Sequence, residues 1–245
     1  MLFPLLATLF LAAVASAQTP AAAPSSAFAA GTAAYDANDV AAAADAFAAL
    51  AAGPGAADVA TLYNLGNAAY RKGDIGPAIH AYRTAQRLAP RDPDIRANLG
   101  FAAQTAGVSL PDYGFAATRL LSLSETEWRH LCRAAYLALF LLAAAALLFP
   151  AARRFFLPPV AAAVLLLALS LAGLARHRDF RRIPEWVLLA PVAASSAPLD
   201  AGVELATLPA GTIVRGQAAH SGWVNIQSDG LNAWIPADAA KPVLP

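Results

Sequence analysis

Asn64, Asn67 and Arg71 follow one another at spacings of three and four residues. In a helix that spacing puts them on one face. Side-chain amides and a guanidinium offer donors and acceptors suited to holding the backbone of an extended peptide. A plain solvated helix face has the same composition, so both readings stand at this level. A second pair, Trp234 and Pro236, lies in an aromatic and β-branched stretch, either lining a groove on a small β domain or packing in that domain's core. If functional, these residue types would recognise a partner and not catalyse. His80, His130, His177 and His220 fall in four separate regions, and no carboxylate pair is tied to a base or a metal ligand. His80 has no partner arrangement suiting a base and is expected in solvent. No glycine-rich phosphate loop occurs. The single cysteine, Cys132, cannot form an internal disulfide and reads as a small apolar filler beside a hydrophobic run. The expectation is a protein that is not an enzyme and uses no cofactor or metal.

The elements that must position these residues are organised around residues 131–175. Two apolar runs, 134–152 and 155–175, are separated only by Arg153 and Arg154. Each has about the ~17 to 25 residues that a helix needs to cross a bilayer's hydrocarbon. Only Tyr136 and Ser170 interrupt their apolar surface, whereas a helix on a soluble core keeps a polar face. Pro150 fits the last turn of the first span, and Pro158 and Pro159 fit the first turn of the second, where the missing donors cost nothing. The whole chain agrees: of 245 residues 58% are hydrophobic and 13% charged, with mean hydropathy +0.51. A net charge of +1 gives no electrostatic footprint for nucleic acid.

Residues 1–17 form an apolar segment ending Ala15, Ser16, Ala17, the small-residue pattern of a cleaved signal peptide, although no Lys or Arg precedes it. Residues 18–27, rich in Ala, Pro and Ser, read as a tether. Export of the first segment is expected to put the parts on either side of the hairpin outside the cytoplasm, with the Arg153–Arg154 turn inside. The charge rule pulls the other way, because Arg176, Arg178, Arg181 and Arg182 outnumber the two arginines of the turn. Precedence goes to the export segment, which comes before both spans.

The informative part of residues 28–105 is 59–92. Leu62, Leu65 and Ala69 mark one helical face; Ala78, Tyr82 and Ala85 mark another after the Lys72-Gly73-Asp74 turn; Pro90 closes the second helix. This segment resembles a tetratricopeptide repeat through Leu62, Leu65-Gly66, Ala78, Tyr82 and Pro90, with Leu62 in place of the usual tryptophan and Ala69 in place of the usual tyrosine. Leu99-Gly100 recurs 34 residues after Leu65-Gly66. Upstream, Gly31, Tyr35, Asn38-Asp39, Ala43, Phe47 and Pro54 echo the same pattern, giving about two repeats and a closing helix from Pro93 to about Thr105. The resemblance implies a concave face, lined by the first helix of each repeat, that carries Asn64, Asn67 and Arg71.

Residues 106–133 connect this domain to the first span. Ser124 with Glu127 three residues on forms a capping box, so a helix should start there and run into the span. Trp128 and Trp186 fall where interfacial anchors sit beside the two spans, domain-core tryptophan being the other reading of each. Beyond the arginines, residues 185–243 change to short β-branched and aromatic runs between turn formers: 212–215, 223–227 and 232–236, separated by Gly216, Ser221-Gly222 and Ser228-Asp229-Gly230. This describes a small antiparallel barrel, and it resembles a bacterial SH3 domain, whose relatives bind peptides or peptidoglycan or serve as inert modules.

The fold class is therefore a multidomain membrane protein: an all-α tetratricopeptide-repeat domain, a two-helix transmembrane hairpin and a small all-β SH3-like barrel. In that order the parts resemble the BatE-type proteins of the Bacteroides aerotolerance gene clusters. The resemblance implies a non-catalytic scaffold or adaptor in the bacterial inner membrane, its soluble domains in the periplasm, within an envelope stress-tolerance complex that has MoxR-like ATPases and membrane-anchored von Willebrand factor A proteins as partners. The alternative is a cell-wall sensor or targeting protein binding peptidoglycan through its SH3-like domain.

Overall fold

The computed structural model describes residues 26–53, 58–112, 114, 120, 122–182, 184–199, 202–218, 222–228 and 230–243. The expected signal segment 1–17, most of the tether, Pro54 and His220 lie outside them. Among the described residues seven α-helices precede seven strands.

The first five helices are α1 (Ser26–Asp36), α2 (Val40–Ala52), α3 (Val59–Lys72), α4 (Ile75–Leu88) and α5 (Pro93–Ala106). Acidic caps start three of them: the side chains of Asp39, Asp58 and Asp92 accept hydrogen bonds from Ala42, Thr61 and Ile95 backbone N–H groups. Gly73 ends α3 at φ 92°, the left-handed conformation that a side chain would resist, and so allows the turn into α4. The echo between the two halves of the array has a packing cause. A Cβ on Gly31 would lie 2.9 Å from Phe47 Cε1, and one on Gly66 would lie 2.5 Å from Tyr82 Cε1. In each hairpin a glycine on the first helix receives an aromatic ring from the second. Gly100 has no such neighbour, because α5 is the closing helix.

The chain then enters α6 (Glu125–Leu148), passes a 3₁₀ turn (Pro150–Ala152) and returns through α7 (Arg153–Arg182). The capping box forms: Ser124 N–H donates to Glu127 Oε2 at 2.8 Å, and Glu127 N–H donates to Ser124 Oγ at 3.3 Å. Both helices are long and apolar enough to cross a membrane, and only 6% and 11% of their most apolar windows are buried. Large side chains such as Phe140, Leu147, Leu165 and Leu169 face outward. Such exposure suits lipid and is costly in water.

Two details differ from expectation. The first helix stops at Leu148, so Pro150 opens the 3₁₀ turn instead of ending a span. The second helix starts at Arg153, placing Pro158 and Pro159 inside it, where each removes a backbone donor. The reason is that the two turn arginines are themselves helical. Between the helices lie small residues, with Ala135, Ala163, Ser170 and Gly173 buried. The indole of Trp128 lies on Gly173, and its Nε1–H donates to Leu120 O at 2.8 Å. Trp128 is thus a buried packing residue, not an exposed interfacial anchor.

The strands are β1 (Glu185–Leu188), β2 (Val192–Ser195), β3 (Glu204–Leu208), β4 (Ile213–Ala218), β5 (Trp223–Ser228), β6 (Leu231–Pro236) and β7 (Ala240–Pro242). They form one antiparallel sheet in the order β3-β2-β6-β5-β4-β1-β7. Trp186, Leu188, Ala194, Val214, Val224, Ile226, Ala233, Ile235 and Ala240 share one core, so the sheet curls around its own inner face. Trp186 belongs to that core and donates from Nε1 to Gly216 O at 3.0 Å; it too is no membrane anchor. The short strands β2 and β7 carry no alternation and are not legible in the sequence.

Strand β1 is buried on both faces. Trp186 and Leu188 point into the sheet's core, while Val187 joins Ile79, Tyr82, Leu99, Ile213 and Val243 in a second core shared with the helices. Gly76 approaches the Leu188 and Leu189 carbonyls where a Cβ would not fit. Arg83 on α4 pairs with Glu185 on β1 in the same seam. The helical array and the sheet are therefore packed on each other, and both lie at the same end of the α6–α7 hairpin.

Candidate functional site

Helices α1, α3 and α5 line one side of the array, with α4 behind them. Between them lies a groove of about 140 Å³ walled by Tyr35, Asn67, Tyr70, Arg71, Tyr82, Asn98 and Phe101. Of the three residues singled out by helical spacing, the fold brings Asn67 and Arg71 into this groove. Asn64 is half-buried and does not line it. Asn64 and Arg71 share a face, but at ~1.5 Å per residue Asn64 lies about 10 Å before Arg71 along α3, beyond the groove's end.

The floor is a polar network. Asn67 Oδ1 accepts from Tyr82 Oη–H at 2.7 Å and from Asn98 Nδ2 at 3.1 Å, and Asn98 Nδ2 also reaches Tyr63 Oη at 3.1 Å. Burial pushes the Tyr82 hydroxyl up from its ordinary pKa, and the neighbouring Tyr63 adds to the shift. Tyr82 therefore stays protonated and keeps donating to Asn67. With its oxygen engaged, Asn67 has Nδ2 left, with no partner among the described residues, to donate outward. On one wall the Arg71 guanidinium lies 4.4 Å from the centre of the Tyr35 ring and donates to Asn38 Oδ1. On the other, the Tyr70 and Phe101 rings lie 5.7 Å apart, with Phe101 60% exposed.

The arrangement combines an amide donor, a fixed cation and aromatic walls. It can accept a peptide carbonyl, an extended backbone and an apolar side chain. Spacing within one helix could not reveal Tyr35, Tyr82 and Phe101, which come from three others. One signal was available: Asn98 stands 34 residues after Asn64, the period of the Leu-Gly pair.

The second candidate pair sits on the sheet's outer face. Ala233 and Ile235 are fully buried, so by strand alternation Trp234 between them points away from the core, half-buried. Cross-strand partners Trp223 and Pro236, Asn225 and Trp234, and Gln227 and Asn232 build a polar and aromatic strip there. Asn225 Nδ2 donates to Asn232 Oδ1 at 3.1 Å within it. Core packing is thereby excluded for Trp234.

The remaining chemistry-bearing residues are scattered. His80, expected in solvent, is instead half-buried, donating from Nε2 to Pro242 O at 3.0 Å across the seam between α4 and β7. Buried His177 lies 3.1 Å from Leu123 O. Among the described residues no three His, Cys, Asp or Glu side chains converge as a metal site. Comparison with protein-family models, curated proteins and solved structures finds no match to this chain.

Proposed function

We propose that this protein is a non-catalytic membrane scaffold whose helical groove holds an extended segment of a protein partner near the bilayer. The observation that carries this reading is the groove itself: Asn67 Nδ2, Arg71 and Phe101 face outward from a network whose other members satisfy one another. In this reading α1 to α5 are tetratricopeptide repeats, the curled sheet is an SH3-like domain, and α6 and α7 anchor both in a bacterial inner membrane. Packing of the sheet on the helices supports a common compartment for them, which the proposal takes as the periplasm. Tethering raises the partner's local concentration without demanding tight binding. The BatE-type resemblance makes membrane-anchored von Willebrand factor A proteins, and a complex with MoxR-like ATPases, the first partners to test.

Photoreactive residues introduced at Arg71 and Phe101 in intact cells test the groove, with exposed Ala49 on the outer helix α2 as control. Links to one membrane-anchored protein from the groove positions alone are expected. Equal links from Ala49 would remove the groove as the binding face. A phosphatase fused after the sheet tests the compartment, since an inactive fusion contradicts the periplasmic placement.

The outward strip of Trp223, Trp234 and Pro236 favours a second reading, a cell-wall sensor that binds peptidoglycan. Cosedimentation of the full chain with purified sacculi, lost on Trp234→Ala, is its expected signature. The full chain is needed because an isolated sheet would expose Val187 and Ile213, which the helices cover.

A further inference from the structure

We infer that one side of the hairpin carries a basic strip, Arg129, Arg133, Arg178 and Arg182, that binds the phosphodiester headgroups of anionic bilayer lipids. The inference rests on the reading that α6 and α7 cross a bilayer.

All four arginines are exposed. Their side of the hairpin follows from the two residues that define the helix–helix seam, Trp128 on α6 and His177 on α7, both buried. At about 100° per residue, Arg129 and Arg133 stand about 100° and 140° around α6 from Trp128. Arg178 and Arg182 stand about 100° and 140° around α7 from His177 by the same geometry. Because the helices run in opposite directions, equal rotations from a shared seam bring both pairs to the same side.

Height along the hairpin fits the boundary of a membrane. Trp128 is level with Gly173, so at ~1.5 Å per residue Arg133 lies about 7.5 Å toward the turn and Arg178 about 7.5 Å away from it. Arg133 thus borders the apolar run of α6, and its long side chain can carry the guanidinium out to the headgroups. Charge is in excess here. Arg129 pairs with Glu125, whereas neither Arg133 nor Arg178 has a carboxylate partner among the described residues. Nearby, Arg176 and Arg215 both contact the Asp179 carboxylate, at 2.9 Å and 3.5 Å. Guanidinium is always charged and matches phosphate oxygens through two parallel donors.

The test reconstitutes the full chain in phosphatidylcholine vesicles and compares spin-labelled phosphatidylglycerol with spin-labelled phosphatidylcholine in the motionally restricted shell around the protein. A preference for phosphatidylglycerol is expected, weakened by salt and reduced by about fivefold per arginine removed in Arg133→Gln, Arg178→Gln and the double variant. Arg96→Gln, an exposed charge on α5, should leave the preference unchanged. Integration into the vesicles without lipid preference overturns the strip while leaving the spans standing. So does a preference that survives the double variant or falls equally in Arg96→Gln. A chain that alkaline carbonate washes off the vesicles overturns both the spanning reading and the strip.

Discussion

Arg83 grips Glu185 through two parallel hydrogen bonds, Nε to Oε2 at 2.8 Å and Nη2 to Oε1 at 2.9 Å, across 102 residues of chain. Their side chains are only 10% and 1% exposed. The pair joins α4 to β1, and the hairpin is the covalent path between them. Removing one partner strands the other's charge in the seam, whereas an apolar pair of similar volume leaves nothing unsatisfied. Glu185→Ala should lower the unfolding free energy of the detergent-solubilised chain by ~3–5 kcal/mol, and Arg83→Met with Glu185→Leu should recover most of it. A loss below about 1 kcal/mol in denaturant titration would mean that the seam is wet and the pair behaves as a surface ion pair.

Asn67 and Phe101 should separate stability from recognition. Asn67→Ala removes the acceptor for Tyr82 and Asn98, so it should cost about 1–3 kcal/mol even without a partner. Phe101→Ala, on an exposed ring, should shift stability by less than about 1 kcal/mol while weakening crosslinking to the partner. Thermal melts of both variants, set beside their crosslinking yields, check the contrast; a Phe101 variant that crosslinks normally counts against the groove.

Gly66 leaves the space that the Tyr82 ring fills. A methyl group there forces the ring off its place, and overpacking of this kind costs about 1–3 kcal/mol. Gly66→Ala is therefore expected to melt earlier than Gly100→Ala, which meets no neighbour and gains helix propensity. Equal melting of the two variants would refute the ring-in-glycine contact.

Gly173 plays the matching part in the hairpin, under Trp128. Gly173→Leu should expel the indole and break its hydrogen bond to Leu120 O, shifting tryptophan emission to the red in detergent. Unchanged emission, measured with the other three tryptophans replaced by phenylalanine, would place Trp128 elsewhere.

His80 gives the seam a pH dependence. Burial holds its pKa below the ordinary histidine value of 6.5; nearby Lys241 pushes the same way, against the hydrogen bond to Pro242 O. The unfolded chain then takes up a proton before the folded chain does. His80's share of stability is complete above the unfolded value of about 6.5 and is lost as pH falls from there toward the lowered folded value. His80→Gln, which keeps a donor but cannot titrate, should flatten that part of the stability profile. Identical profiles would assign the slope to other groups.

Local signals in the chain were sufficient for most of its elements, strands β2 and β7 excepted. The capping box at Ser124 and the turn at Gly73 act over a few residues, and the paired apolar runs and the glycine-aromatic echo lie within one helix or one helical hairpin, so side-chain period and cap chemistry report these relations directly. Helical spacing likewise picked out Asn67 and Arg71. What it could not supply was their company. Tyr35, Tyr82, Asn98 and Phe101 reach the groove from three other helices, and the same spacing wrongly drew in Asn64, because a single helix does not state where its neighbours lie. His80 was misread, and Trp128 stayed open between two readings, for a related reason: each is polar or amphipathic enough to face water or lipid, and only a facing element, β7 or Gly173, buries it.

The sequence by itself determined that two apolar helices join a helical part to a β part, since length, periodicity and turn chemistry are properties of contiguous residues. Only the tertiary structure decided that these parts close on each other. Strand β1 is buried on both faces because α4 covers the side that a free sheet would show to solvent. Nothing in the sequence around Val187, Ile213 and Val243, or around Arg83 and Glu185, marks them as residues of one seam. Their burial depends on a contact between segments about a hundred residues apart, for which no local pattern carries a signal.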